Sequence, residues 1–335
     1  MDAKLRLPLL VLLLIGIAGC SPTGSSTAEG PAKPSGAESS GAAQYRIAVV
    51  PKGLGHDFWN KVKAGAEAAA RENNAVILWD GPATEADIDT QISIIEGHVA
   101  DKVDAIVMAA CDANALIAPV QKAVDAGIPV ITIDSGLNSD LPLSLIATDN
   151  EAGAALAADE LDRLLGGSGE VGLISFLKGA KTSDLRESGF LKGLAKHPGL
   201  KLVSTQYCNS QSDEAMNNVQ DMLSAHPQVR GIFASNEPAA IGAARALELR
   251  GKTGEVKLVA FDAAPAEVEA LKKGVIQALI VQDPYRMGFE GVLNAVRALK
   301  KQPVEKRIDT GVTVVTAENL NEPDIQKLVN AIPAG

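Results

Sequence analysis

The chain has 335 residues with 31 Lys+Arg against 41 Asp+Glu, a formal charge of −10, and only 3% aromatic residues. That length suggests roughly two domains. The acidic balance excludes a nucleic-acid partner, which needs a basic face. Three cysteines are too few for a disulfide scaffold, and no Cys or His spacing resembles a metal site.

Lys4 and Arg6 precede an apolar run, Leu7 to Ile17, broken only by Pro8. It is too short to span a bilayer and suits a signal-peptide core. Its end, Ile17-Ala18-Gly19-Cys20, resembles the lipoprotein box. Residues 1–19 are therefore expected to be a lipoprotein signal peptide, with lipidation on Cys20 and a membrane anchor through that lipid. Of the 24 residues 21–44, 20 are Ser, Thr, Gly, Ala or Pro. Such a segment has little to bury, so 20–44 reads as a lipid-anchored flexible linker in the cell envelope.

From Tyr45 onward short apolar runs alternate with helical stretches. Strands are expected at Tyr45–Val50, Ala75–Trp79, Ala105–Ala109, Val130–Ile133, Leu143–Ala147, Glu170–Ser175, Lys201–Tyr207, Gly231–Ala234, Lys257–Phe261 and Ala278–Val281. Helices are expected between most of them, among them Asp57–Asn73, Asp87–Ala100, Ala113–Ala126, Asn150–Leu165, Ser183–Lys196, Ser212–Ala225 and Pro284–Lys300. Near-continuous apolar strands separated by amphipathic helices imply an α/β fold of parallel sheets covered on both faces.

Ligands of open parallel sheets bind beyond the carboxyl ends of the strands. Here those ends carry Lys52 to Trp59, Asp80, Asp112, Asp134-Ser135, Ser175, Asn209, Asn236-Glu237, Asp262 and Gln282-Asp283. Carboxylates and amides can hydrogen-bond vicinal hydroxyls, and an aromatic ring can cover the apolar face of a sugar. Asp57 and Asp112 immediately precede helices and read equally well as N-caps.

Five motifs occur in order: Gly127-Ile-Pro-Val-Ile-Thr-Ile-Asp134, Thr148-Asp-Asn150, Arg186-Glu-Ser-Gly-Phe190, Phe233-Ala-Ser-Asn236 followed by Gly242-Ala243, and Val259-Ala-Phe-Asp262. Together, over about residues 45–320, they resemble the ribose-binding-protein family of periplasmic solute receptors. The resemblance implies two similar Rossmann-like lobes joined by a three-strand hinge, the type I periplasmic binding protein fold. It places lobe one at 45–147 plus 283–311 and lobe two at 148–282 plus 312–335. It implies a sugar or polyol ligand held between the lobes, an ABC importer permease as partner, no cofactor, no catalysis and a monomer.

By the same resemblance Phe58 and Trp59 match the aromatic pair on the sugar, and Phe261 the second stacking wall. Asp134, Arg186, Asn236, Asp262 and Gln282 match its hydrogen-bonding residues. The chain departs from the ribose pattern at His56, where an asparagine is expected, and at Ser135, often an arginine. An aromatic expected near Cys208–Gln211 is missing, so ribose itself is not implied. Lys52, His56, Asn209 and Gln211 are possible extra polar contacts. A ligand-presenting receptor for a membrane sensor is the rival reading.

A dinucleotide-binding reading of Gly53-Leu-Gly55 fails, because Phe58 stands where the third glycine belongs. No Walker A, HExxH or GxSxG sequence occurs. A DNA-binding regulator with the same lobes would need a helix-turn-helix where this chain has a leader and linker. Cys111 and Cys208 end strands in different lobes and are expected to be free, since a bridge would oppose hinge opening.

Overall fold

The computed structural model describes residues 44–330. The expected signal peptide 1–19, Cys20 and the linker up to residue 43 lie outside them, as do residues 331–335. The elements run β1 (Tyr45–Val50), α1 (Asp57–Glu72), β2 (Ala75–Trp79), α2 (Ile88–Ala100), β3 (Ala105–Met108), α3 (Ile117–Asp125), β4 (Val130–Ile133) and β5 (Ser144–Ala147). Then come α4 (Asn150–Leu165), β6 (Gly169–Ser175), α5 (Lys181–Leu194), β7 (Leu200–Tyr207), α6 (Ser212–Ala225), β8 (Val229–Ala234), α7 (Glu237–Leu249), β9 (Lys257–Phe261), α8 (Pro265–Lys272) and β10 (Ala278–Val281). The chain closes with α9 (Pro284–Leu299), β11 (Arg307–Asp309), β12 (Thr313–Val315) and α10 (Pro323–Val329).

Among the described residues these strands form two six-stranded sheets, ordered β11-β5-β4-β3-β1-β2 and β12-β10-β9-β8-β6-β7. The first, in lobe one, is parallel throughout. The second, in lobe two, is parallel except for β12, which runs antiparallel to β10. Central strands such as β3, β4 and β10 are buried at every position, because helices cover both faces of each sheet. The chain passes between the sheets three times, after β5, β10 and β11. Two of these crossings are tied together where Thr148 Oγ1 lies 3.3 Å from Thr310 Oγ1 and donates to Gly311 O.

Helix α1 shows how sequence sets the packing. Its buried Trp59, Val62, Ala66, Ala69 and Ala70 recur on one helical stripe and join lobe one's core. α9 lies along α1 and contributes Met287, Val292 and Ala295 to that core. A Cβ at Gly65 would come within 1.9 Å of Tyr285 O, and one at Gly288 within 1.9 Å of Val62 O. Only glycine lets these two backbones meet.

Most boundaries agree to within two residues, and the largest difference is at α3. α3 starts at Ile117 rather than Ala113, because Asp112 Oδ1 accepts from the amides of Asn114 and Ala115 and makes a separate turn there.

Candidate functional site

The carboxyl ends of both sheets face one narrow cavity between the lobes. Lobe one contributes Lys52, His56, Phe58, Trp59, Glu85 and Asp134 to its wall. Lobe two contributes Phe176, Arg186, Asn236, Glu237, Pro238 and Asp262, and Gln282 lies at a crossing.

β4 and β9 occupy the same place in their sheets, and each ends in an aspartate with left-handed backbone, φ 53° at Asp134 and 86° at Asp262. Such a conformation costs on the order of 1–3 kcal/mol and is typically kept at functional sites. Lys52, just past β1, places Nζ 3.0 Å from Asp134 Oδ2 and donates to Thr182 Oγ1 of lobe two at 3.0 Å. The ammonium lies 5.8 Å and 5.4 Å from the ring centroids of Trp59 and Phe176. Burial works against its charge, but Asp134 and Glu85 outweigh burial and raise its pKa. Apart from this ion pair, no protein donor reaches Asp134 Oδ2.

Arg186 is buried on α5. Nε donates to Asn150 Oδ1 at 2.8 Å and Nη1 to Ser235 O at 2.7 Å. Its guanidinium stacks 3.8 Å from the centroid of Phe261. Among the described residues no protein acceptor is bonded to Nη2, which leaves those donors for the cavity. Gln282 donates to Asp262 Oδ1 at 2.7 Å, while its own Oε1 is buried with no donor.

Glu85, in the loop after β2, accepts from Trp59 Nε1 at 3.0 Å and from Ser210 Oγ of lobe two at 2.7 Å. His56 Nδ1 stands 3.6 Å from the same carboxylate. Burial alone would raise the Glu85 pKa, but Lys52 and His56 hold it well below the usual carboxylate range. Burial likewise opposes the charged form of His56, yet the adjacent Glu85 carboxylate raises its pKa above the usual 6.5. Phe58 and Trp59 meet edge to face, with centroids 4.9 Å apart.

Thus His56, Phe58, Trp59, Asp134, Arg186, Asn236, Asp262 and Gln282 are brought together. Ser135 and Phe261 do not line the cavity, and neither do Asn209 and Gln211. Ser135 is fully buried, with an unpartnered Oγ. Phe261 lies wholly inside lobe two's core beneath Arg186 and is no open stacking surface. The aromatic wall on that side is Phe176, just past β6. Asn236 lines the cavity, but Oδ1 caps α7 through Ala239 N and Nδ2 donates to Ser210 Oγ. Asn209 bonds Glu214 instead, and Asp80 faces His98 at 3.9 Å. Glu85 carries no signal in the sequence, since it stands in a loop five residues past Asp80 at the end of β2. Cys111 and Cys208 are free and buried, and burial pushes the Cys208 thiol up to about 12.

The periplasmic binding protein domain model matches residues 47–303. The chain is 30% identical over 322 residues to the D-ribose/D-allose-binding protein of Pseudomonas aeruginosa, covering 92% of this chain and 97% of that protein. A carbohydrate transporter solute binding protein from Agrobacterium radiobacter, solved with D-arabinose, superposes with a TM-score of 0.84 at 36% identity, over 86% of this chain and 99% of that one. An ABC transporter solute binding protein from Agrobacterium vitis, solved with D-fucose, gives 0.83 at 38% identity, over 85% and 99%.

Proposed function

Because the chain belongs to the periplasmic binding protein family, we propose that it is an extracytoplasmic receptor that closes on a sugar or sugar-like polyol and delivers it to an ABC importer. The observation that carries this reading is the set of unspent polar groups around the cavity. Among the described residues Asp134 Oδ2 meets only the Lys52 ammonium, Gln282 Oε1 has no donor, and no acceptor is bonded to Arg186 Nη2. Acceptors and donors lining one cavity with Phe58, Trp59 and Phe176 suit a hydroxylated ring or chain. A ligand touching both lobes favours the closed arrangement by its differential affinity.

The roles of His56, Phe58, Trp59, Asp134, Arg186, Asn236, Asp262 and Gln282 as ligand contacts are part of the proposal. So are the signal peptide, the lipid on Cys20, the monomeric state, a receptor without catalysis, and lobes of 45–147 plus 283–311 and 148–282 plus 312–335. The sensor-partner reading has no observation in its favour, since the relatives are transport proteins.

The test is thermal melting against D-ribose, D-allose, D-arabinose, D-fucose and xylitol. A ligand bound only by the native state at 100 times its Kd adds about 2.7 kcal/mol of stability. A midpoint raised by one sugar and unmoved by it in Asp134→Ala supports the reading. A cooperative melt that no neutral polyol raises overturns it.

A further inference from the structure

Helix α1 carries Phe58 and Trp59, yet its own N-terminus is not capped by its own side chain. The N-cap residue is His56, and its side chain makes no cap hydrogen bond. The first four amides of a helix need acceptors from outside it. Here Asp57 N donates to Glu237 Oε1 at 3.0 Å and Phe58 N to Glu237 Oε2 at 2.9 Å. Glu237 is the first residue of α7, in the other lobe, and is buried.

We propose that Glu237 is a positioning residue that caps α1 from the opposite lobe, so that lobe closure itself fixes the helix end presenting the aromatic pair. Each carboxylate oxygen accepts from one α1 amide, so Glu237 acts on the cavity through Phe58 and Trp59. The cap is also tied to the opposite wall. Glu237 N donates to Asp262 Oδ2 at 3.0 Å, and Gln282 holds Asp262 Oδ1. One continuous path therefore runs from the crossing at Gln282 to the start of α1. One turn on, Lys61 Nζ donates to Ala263 O at 3.2 Å and Val329 O at 2.8 Å, both in lobe two. Lobe two thus grips α1 at two successive turns with groups of the protein alone. A carboxylate at a helix N-terminus also meets the positive end of the helix dipole. The grip adds to closure whichever ligand occupies the cavity, and it does not depend on the ligand being a sugar.

The test is residue-resolved amide hydrogen exchange on the unliganded full chain. In Glu237→Ala the amides of Asp57 and Phe58 are expected to exchange at least tenfold faster than in wild type, while those of Val62–Glu72 stay within twofold. In Glu237→Gln, whose amide keeps one accepting oxygen, one of the two amides is released. A global loss of protection in the alanine variant passes the decision to the glutamine variant alone. Wild-type Asp57 and Phe58 amides already exchanging at unprotected rates, or both variants staying within twofold of wild type at both positions, overturns the proposal.

Discussion

The two lobes repeat one sheet order, and each aims a left-handed aspartate at the cavity, but the two carboxylates are spent differently. Asp262 accepts at both oxygens, from Gln282 Nε2 and Glu237 N. Asp134 Oδ2 faces the Lys52 ammonium, and among the described residues no other protein group donates to it. Repetition of the fold supplies two equivalent positions, and neighbouring side chains decide which one stays open to a ligand. Lobe two's aspartate organises its own wall, whereas lobe one's retains acceptor capacity.

The sharpest way to break this comparison is to remove each aspartate in turn. Asp134→Ala strips the buried Lys52 of its nearest carboxylate, and breaking such a pair costs about 3–5 kcal/mol. It should also abolish the ligand-dependent rise in melting temperature. Asp262→Ala leaves the Glu237 amide and Gln282 unpaired, at about 1–3 kcal/mol each for an orphaned buried group. It should weaken ligand binding without abolishing it. Urea unfolding and ligand titration of both variants decide the matter. A larger binding loss in Asp262→Ala would reverse the assignment.

The cations differ as well. Lys52 is a point charge between two rings, whereas Arg186 uses a planar fork on Asn150, Ser235 and the face of Phe261. Lysine cannot reproduce that fork. Arg186→Lys should therefore lose about 1.5–3 kcal/mol, the worth of a hydrogen bond to a charged group. Denaturant midpoints measure it. A variant as stable as wild type would mean that the stacked, forked geometry contributes nothing.

Much of this was legible in the sequence because parallel strands declare themselves by continuous apolar runs and expose their carboxyl ends. Asp134, Arg186 and Gln282 follow from that rule joined to the motifs. The side chains that occupy one another were not legible. Asn236 caps α7, and Phe261 lies under Arg186, because each meets a partner more than 20 residues away or a local amide that the sequence does not announce. Glu85 stayed hidden in a loop, since no periodicity marks a carboxylate that bridges Trp59 and Ser210. Glu237 reads only as a polar residue at a strand end, because its partners, the amides of Asp57 and Phe58, have no sequence signature.

The smallest expected effect tests the half-buried edge of lobe one's wall. His56 has a folded pKa raised above its usual 6.5, so its contribution is complete below that pH and is lost as pH rises through the folded value. Glu85 has a folded pKa lowered from 4.5, so its contribution is present above that pH and is lost on further acidification. The pair should support the fold most between those two values. At 3.6 Å, and with His56 partly open to solvent, it is worth about 1 kcal/mol, or roughly 2 °C in a chain of this size. The melting temperature of wild type minus that of His56→Gln, followed from pH 5 to pH 8 without ligand, should shrink as pH rises. A difference that is flat or grows with pH would mean that Glu85 holds Trp59 and Ser210 without help from the imidazolium. Lobe one's wall would then depend on Lys52 alone for its positive charge.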